Sequence, residues 1–321
     1  TNIPFGNKGD YLTAPLISNL FSEIIGIWLI STWNVLGKPK KLNIIELGPG
    51  DASLTKILIK TFKRFPKFYS SVNVFLYEKS NLLIKLQKKN VKSKKVRWIK
   101  NFTKIKSGPT IFFGNEFLDA IPIKQFLKKN NTYLEKNYSL DKNNKIFEIY
   151  KKALTKDVLQ IKKFKTLNNV NFIEFPKLGF DELTKVTKKI SKLGGGLLII
   201  DYGYLKSKNK NTLQSIKKHK RNNLFKNLGK ADITSLVNFN LLKEYLYKRN
   251  LKVKKVVTQK FFLEKLGIIE RANILSKSMS FHEQSNLYLR MRRLLDKKFM
   301  GSLFKVIFAY KFKKNNFLGF K

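Results

Sequence analysis

The sequence contains no cysteine and only two histidines, His219 and His282. The absence of cysteine excludes disulfide bonds and thiolate metal ligands. The two histidines lie too far apart in the chain to form a local zinc motif. We therefore expect neither a metal site nor catalysis by a histidine-bound metal.

Acidic residues are scarce: 21 Asp and Glu stand against 66 Lys and Arg, and the formal net charge is +45. Such a charge favours a polyanionic partner. Yet only eight of the 66 bases are arginine, and the lysines are scattered among abundant Asn, Ile and Phe, as an AT-biased coding sequence would produce. We attribute most of the charge to a solvated surface. A nucleic acid or an anionic lipid remains an alternative partner that we do not favour.

Long apolar runs are also missing. The most apolar stretch, "IIGIWLISTWNVLG" at 24–37, has 14 residues without a charge, whereas a membrane-spanning helix needs about 20. No basic, apolar and small-residue signal opens the chain, and its first residue is Thr, so we expect a truncated N-terminus. These patterns predict a soluble protein of undetermined oligomeric state, with a core helix and no transmembrane segment.

Apolar periodicity predicts an α/β fold. Helix-like patterns cover 16–36, 51–63, 81–89 and 181–193, and strand-like runs cover 41–47, 72–78, 96–100, the start of 108–122, 197–203, 253–263 and 304–312. Their alternation predicts a mostly parallel sheet with helices on both faces and an antiparallel strand at or near one edge. Residues 123–176 read as a β-rich insertion, 204–250 as a polar loop and a helix, and 264–299 as a helical insertion.

The turn "ELGPGDAS" at 46–53 follows the first strand. It lacks the P-loop pattern, and Ser53 stands where a dinucleotide fingerprint needs its third glycine. Pro49 has no N–H to donate to a pyrophosphate. Glu46 can pair with a cationic ligand, and Gly48 and Gly50 let the backbone approach it closely.

The second strand also ends on an acid, Glu78, which can accept hydrogen bonds from ribose hydroxyls. Together with Glu46 and the glycine turn, this favours S-adenosylmethionine as the cofactor over a nucleotide. Asn101, after the third strand, is a candidate on the adenine side. The alternative interpretation is a tight strand–helix turn that holds no ligand.

The fourth strand runs into "NEFLDAIP" at 115–122, where Asn115, Glu116 and Asp119 crowd its carboxyl end. Carboxylates there can orient a guanidinium, which suits planar, bidentate recognition. Asp201 and Tyr202 close the fifth strand in the same way. A solvated turn is the alternative interpretation.

Several blocks, "GDYLTAP" (9–15), "ELGPG" (46–50), "NEFLDAIP" (115–122), "IDYG" (200–203) and "ADIT" (231–234), occur in this order. Together they resemble the MidA-type methyltransferase family, the S-adenosylmethionine-dependent proteins that support mitochondrial complex I assembly. The resemblance implies a class I, Rossmann-like seven-strand methyltransferase fold with family-specific insertions, in one domain over 1–321. It also implies protein arginine N-methylation of a complex I subunit, in the cytoplasm of a bacterium or in the mitochondrial matrix of a eukaryote.

On this resemblance we expect substrate orientation from Asp10, Glu116 and Asp119, and cofactor binding from Glu46, Gly48, Gly50, Glu78 and Asn101. Gly9, Thr13, Asn115, Asp201 and Tyr202 would shape the substrate pocket. Two departures stand out: Leu16 replaces the family's glutamate, and Asp51-Ala52-Ser53 replaces Arg-Gly-Thr. Methylation of RNA or a small molecule, or a non-catalytic assembly role, are the competing hypotheses.

Overall fold

The structure is a computed structural model that describes residues 13–130, 132–206, 209–217 and 220–321. Its helices are α1 Ala14–Ile17, α2 Asn19–Val35, α3 Ser53–Lys63, α4 Pro66–Ser71, α5 Asn81–Asn90, α6 Thr155–Ile161, α7 Lys177–Leu193, α8 Phe239–Lys248, α9 Gln259–Lys265, α10 Ile268–Ser276, α11 Phe281–Leu295 and α12 Met300–Leu303. Its strands are β1 Leu42–Leu47, β2 Val72–Tyr77, β3 Val96–Ile99, β4 Thr110–Asn115, β5 Lys124–Lys129, β6 Thr132–Leu140, β7 Ile146–Lys152, β8 Phe172–Phe175, β9 Gly195–Tyr204, β10 Gln214–Lys217, β11 Lys220–Asn222, β12 Asp232–Thr234, β13 Val237–Asn238, β14 Lys252–Val253, β15 Val257–Thr258 and β16 Phe304–Lys311.

The central sheet has the order β14-β16-β9-β4-β1-β2-β3, with β13 beside β9 and β15 beside β16. Strand β1 pairs in parallel with both β2 and β4, whereas β16 runs antiparallel to β9. This confirms the predicted mostly parallel sheet with an antiparallel strand near one edge. Because the chain order reverses on either side of β1, the carboxyl end of β1 lies at a switch point, where α/β sheets bind ligands.

Strand β1 is buried along its whole length. Successive side chains point to opposite faces of a strand, so Ile44 packs into one apolar core and Ile45 into the other. Helices α2 and α3 cover the first face and approach closely at Gly26, where a Cβ would lie 3.0 Å from Thr61 Cγ2. The ends of the parallel strands are therefore held by packing on both faces of the sheet.

Two smaller sheets follow the central strands. Within residues 124–175, an antiparallel sheet of order β7-β6-β5-β8 forms between β4 and α7. After β9, the short strands β11, β10 and β12 pair antiparallel with one another. Residues 204–250 were expected to hold only a polar loop and a helix. The lysine- and asparagine-rich strands of this second small sheet are too short to give a period-two apolar signal.

The strand predicted at 253–263 forms only as the two short strands β14 and β15, and the prediction is wrong at 254–256 and beyond residue 258. Strand β15 ends at Thr258, which caps α9 by accepting a hydrogen bond from the Phe261 N–H at 3.2 Å. Phe262 and Leu263 are fully buried on this helix. A short apolar run cannot by itself distinguish a buried helix from a strand.

The predicted core helix at 16–36 forms as α1 and α2, with a break at Ser18. None of the helices in the described ranges combines the length and the apolar character that crossing a membrane requires.

Candidate active site

The glycine turn after β1 depends on left-handed backbone conformations. Gly48 and Gly50 have φ values of +62° and +56°, which glycine adopts without a steric penalty. A Cβ on Gly48 would lie 2.9 Å from Phe117 Cδ2. Ala52 is also left-handed at φ +64° and stands directly before α3. The turn therefore keeps its shape with a strained alanine at its end.

Glu46 lies on β1 just before this turn and is almost fully buried. The Thr55 hydroxyl, from the first turn of α3, donates a hydrogen bond to Glu46 Oε2. Burial raises the pKa of Glu46 to about 8; the Thr55 hydrogen bond acts against this rise, and the neighbouring Asp51 adds to it. A cationic ligand would favour the ionised form of this carboxyl.

Glu78 follows β2 and is held by two donors. The Ser80 N–H donates to Glu78 Oε1 at 2.8 Å, and Gln87 Nε2 donates to Glu78 Oε2 at 3.2 Å. Gln87 is fully buried in α5 and also donates to the Gly50 carbonyl at 2.8 Å, while Trp98 Nε1 donates to Gln87 Oε1 at 3.0 Å. Gln87 thus ties the glycine turn to Glu78, a link that the sequence did not suggest.

The loop after β4 places Glu116 in the left-handed region, with φ +53°. Glu116 Oε1 accepts hydrogen bonds from Asn115 Nδ2 at 3.1 Å and from the Ala14 N–H at 3.4 Å. Burial raises the pKa of Glu116 to about 8, and the nearby Asp119 and Asp232 add to the rise. A left-handed non-glycine residue costs free energy, and such strain concentrates at functional sites.

Asp119 is buried in the same loop. Burial raises its pKa to about 6, with a contribution from Asp232, and the neighbouring Tyr202 side chain acts against the rise. Glu116, Asp119 and Asp232 therefore form a group of carboxylates that repel one another. Like charges at close range favour protonation or a bound cation.

Asp201 lies behind this loop. Its Oδ2 accepts hydrogen bonds from the backbone N–H groups of Phe117 at 3.2 Å, Leu118 at 2.9 Å and Asp119 at 3.4 Å. Burial and the neighbouring Asp119 raise the pKa of Asp201 well above its ordinary value. Asp201 thus holds the shape of the loop instead of lining the pocket as expected. Tyr202 is likewise buried and packs edge-on against Phe304.

One cavity of about 290 Å³ opens beside the carboxyl ends of β1, β2 and β4. Eight of the predicted site residues line it: Thr13, Glu46, Gly48, Gly50, Glu78, Asn115, Glu116 and Asp119. Of the remaining predictions, Gly9 and Asp10 lie outside the described residues. Asn101 is exposed and does not line the cavity; its Oδ1 accepts a hydrogen bond from the Thr103 N–H at 3.1 Å.

Other lining residues were not predicted. Asp51 and Ser53 come from the glycine turn, Leu16 from α1, and Asp232 and Thr234 from β12. The "ADIT" block contains both β12 residues, so the family resemblance was the signal that could have found them. Six carboxylates line the cavity, Glu46, Asp51, Glu78, Glu116, Asp119 and Asp232; among the described residues, no lysine or arginine does.

Another cavity of about 340 Å³ adjoins the first and shares five lining residues with it, Gly48, Glu78, Phe117, Ala120 and Ile121. Its far wall contains Glu182, whose Oε2 accepts a hydrogen bond from the Tyr77 hydroxyl at 2.7 Å. Glu78 therefore lines both cavities.

The residues present fit the expected cofactor, S-adenosylmethionine. Glu78 stands where ribose hydroxyls are bound in such folds, and the glycine turn permits close backbone approach. Asn115 Oδ1 is buried and has no hydrogen-bond partner among the described residues, so it can accept a hydrogen bond from an ammonium group. The carboxylates suit a positively charged sulfur.

Comparisons with known proteins agree with this geometry. Residues 24–257 match a family model described as "Putative S-adenosyl-L-methionine-dependent methyltransferase". The mitochondrial protein arginine methyltransferase NDUFAF7 homolog of Caenorhabditis elegans is 31% identical over 290 residues, which cover 83% of this chain and 67% of that protein. The mitochondrial protein arginine methyltransferase NDUFAF7 of Xenopus tropicalis is 27% identical over 327 residues, which cover 94% of this chain and 75% of that protein.

Among solved structures, a Burkholderia thailandensis protein bound to S-adenosyl-homocysteine superposes with a TM-score of 0.79 at 20% identity, covering 98% of this chain and 80% of that one. A second crystal structure of a Burkholderia thailandensis protein gives a TM-score of 0.80 at 19% identity, with coverages of 99% and 85%. These likenesses extend the fold beyond the residues that the family model matches.

Proposed function

The chain belongs to the S-adenosyl-L-methionine-dependent methyltransferase family, and we propose that it methylates an arginine side chain of a protein. Its cofactor is S-adenosyl-L-methionine, which supplies a methyl group carried on a positively charged sulfur. The arginine specificity rests on the relatives that are named protein arginine methyltransferases. It rests above all on the chemistry of the cavity.

The observation that supports this function best is the acidic lining of the cavity. The whole chain has 21 acidic residues and a net charge of +45, yet six carboxylates line this one space. Burial and mutual repulsion raise the pKa of Glu116 and of Asp119. A guanidinium offers five N–H donors in a plane and matches carboxylates in a bidentate geometry, so it relieves both the repulsion and the unmet hydrogen bonding.

We assign Glu116 the role of orienting the guanidinium. Both of its hydrogen bonds from described residues go to Oε1, which leaves Oε2 for the substrate. When bound, the cofactor would supply the methyl group, and Glu116 would hold a guanidinium nitrogen in line with it. Positioning supplies most of the catalysis in such a displacement. The methylated nitrogen loses one proton, and Glu116, with its pKa raised to about 8, is placed to accept it.

On the cofactor side, we assign Glu78 to the ribose hydroxyls and Gly48 and Gly50 to close backbone contact. Glu46 would balance the positive charge of the cofactor. The Gln87 bridge between Glu78 and the Gly50 carbonyl fixes these groups relative to one another before any ligand binds. Preorganisation of this kind lowers the cost of ordering the site.

We further propose that the substrate is a subunit of respiratory complex I, as the family resemblance implies. The organelle is the mitochondrial matrix if the source is a eukaryote, because the relatives' names place them in mitochondria, and the compartment is the cytoplasm if the source is a bacterium. We also propose that residues 1–321 form a single methyltransferase domain, with the segments at 123–176 and 264–299 as insertions.

The test is transfer of labelled methyl from the cofactor into arginine-containing peptides and into RNA, followed by mass spectrometry of the modified residue. We expect methyl-arginine in peptide, and its loss in Glu116→Gln. Label in RNA alone would reject the proposal. Full cofactor binding by calorimetry with no transfer to any arginine substrate would support a non-catalytic role instead.

A further inference from the structure

A long basic segment adjoins the acidic cavity. Residues 202–231 contain nine lysines and arginines and no Asp or Glu, although they lie between Asp201 and Asp232. Strands β10 and β11 come from the described part of this segment and form the small three-stranded sheet with β12, which follows it. We call the described residues 209–217 and 220–231 the basic flap.

The charges of the basic flap face water. Its exposed bases are Lys210, Lys220, Arg221, Lys226 and Lys230. In the part of the chain that the structure describes, no carboxylate pairs with any of them. Five exposed cations on the short strand β11 and the loops beside the small sheet create a positive potential that a partner's negative charges can neutralise.

The basic flap is joined to the cavity lining at one end and to β8 at the other. At one end, β12 carries Asp232 and Thr234 into the cavity lining, and the Ser235 N–H donates to the Asp119 carbonyl at 3.0 Å. At the other end, the Thr212 N–H donates to Glu174 Oε1 at 2.9 Å. The basic flap therefore continues directly into β12, whose carboxylate Asp232 lines the cavity.

We propose that the basic flap binds acidic residues that flank the target arginine in a protein substrate. This inference rests on the proposed arginine methylation and names the sequence context of its substrate. A segment with one arginine among acidic residues complements both surfaces at once: the guanidinium enters the acidic cavity while its carboxylate neighbours meet the basic flap.

RNA fits this arrangement less well. It carries phosphates but no cation to enter the cavity. Single-stranded RNA is usually held by exposed aromatic rings on which bases stack, and the basic flap offers none: Phe225 packs edge-on against Tyr138, with ring centroids 4.8 Å apart. Of its five exposed bases, only Arg221 has the planar guanidinium that also stacks on bases.

The test compares three peptides that contain one arginine with acidic, neutral or basic flanking residues. We expect kcat/KM for the acidic peptide to exceed that for the neutral one by roughly tenfold at low salt, mainly through KM, and the preference to shrink as salt screens exposed charges. Equal values for the three peptides reject the flap proposal alone. No methylation of any of the three rejects the proposed function.

A variant with fewer positive charges then tests whether the basic flap causes the preference for the acidic peptide. The quadruple change Lys220→Gln, Arg221→Gln, Lys226→Gln and Lys230→Gln should abolish the acidic preference and leave kcat for the neutral peptide unchanged. The matched control neutralises Lys188, Lys192, Lys313 and Lys314, which are exposed and lie on α7 and after β16. They lie toward the end of the strands opposite the cavity, where β16 ends beside Gly195, the first residue of β9.

The control should keep the preference, and circular dichroism checks that both variants fold. Loss of the preference in the control as well would assign it to net charge and overturn the flap proposal. So would competition by a single-stranded RNA that abolishes methylation of the neutral peptide, since RNA would then be the ligand of this surface. The salt dependence of the unmodified protein tests the proposal even if the quadruple variant does not fold.

Discussion

The two sides of the acidic cavity differ in what surrounds their carboxylates. On the cofactor side, Glu78 accepts hydrogen bonds from the Ser80 N–H and from Gln87, and Glu46 accepts one from Thr55. On the substrate side, burial is the largest cause of the raised pKa of Glu116, and repulsion from Asp119 is the next largest. The cofactor-side carboxylates are thus held mainly by hydrogen bonds within the described chain. The substrate side groups Glu116, Asp119 and Asp232, whose mutual repulsion would be relieved by protonation or by a bound cation.

The change with the largest expected effect removes one charge from the substrate side. Glu116→Gln keeps the size of the side chain and should lower kcat/KM for an arginine peptide by about 100- to 1000-fold, as loss of a preorganised electrostatic contact does. Cofactor affinity, measured by calorimetry, should stay near that of the unmodified protein. Glu148→Gln, at an exposed carboxylate on β7, is the control and should leave both quantities unchanged. A Glu116→Gln protein that loses cofactor binding would erase the contrast between the two sides.

A change on the cofactor side should weaken cofactor binding and leave kcat at saturating cofactor nearly unchanged. Glu78→Gln weakens the acceptor for the ribose hydroxyls and should raise the cofactor Kd by about 10- to 100-fold, the cost of a hydrogen bond to a charged group. At saturating cofactor, kcat should return to nearly its unmodified value. If saturating cofactor fails to restore kcat, Glu78 takes part in the chemistry, and its assignment to cofactor binding alone is wrong.

The pH profile tests the raised pKa values on the substrate side. With pKa values of about 6 for Asp119 and about 8 for Glu116, both carboxyls ionise only in mildly basic solution. We expect kcat/KM to rise about tenfold from pH 6 to pH 8, because a cation binds the ionised pair. Glu116→Gln should flatten the upper part of the rise.

The free energy of unfolding should fall over the pH range in which kcat/KM rises. The pKa of Glu116 is raised from 4.5 to about 8 by folding, so the folded protein binds more protons in that interval than the unfolded chain does. The free energy of unfolding of the ligand-free protein should therefore fall as the pH rises through this window. Urea titrations at several pH values measure it. A stability that increases from pH 5 to pH 8 would contradict burial of a repelling carboxyl pair.

The smallest expected effect concerns the left-handed Ala52 at φ +64°. Ala52→Gly should stabilise the protein by about 0.5–1 kcal/mol, because glycine adopts this conformation without strain. The control, Ala272→Gly, makes the same chemical change inside α10 and should destabilise by about 1 kcal/mol. Melting curves of the two variants that shift in the same direction would contradict the strain at Ala52.

The cofactor side was more predictable from the sequence than the rest of the cavity. Glu46 and Glu78 end buried strands, and neighbouring parallel strands bring their carboxyl ends together, so their proximity followed from the order of the strands. Asp201 also ends an apolar run, yet β9 continues to Tyr204. The Asp201 side chain accepts hydrogen bonds from the backbone of the loop after β4. Its role depends on a contact 84 residues away in sequence.

Gln87 and Asp232 illustrate why other residues of the site were not predicted from the sequence. Gln87 lies in a lysine-rich helix, and nothing in its neighbours shows that it is fully buried. Asp232 reaches the cavity only because three short strands bring it back beside the loop after β4. Local patterns report periodicity and turns; they do not report which polar side chain a distant segment will meet.

The hydrogen bonds of Asp201 have a consequence for the order in which the enzyme is made. Synthesis proceeds from the N-terminus, and the glycine turn, Glu78 and Gln87 all leave the ribosome before residue 100. The loop that carries Glu116 can form its hydrogen bonds to Asp201 only after Asp201 has left the ribosome and β9 has paired with β4. A nascent chain therefore contains the elements that we propose to hold the methyl donor well before it contains those that we propose to hold the methyl acceptor.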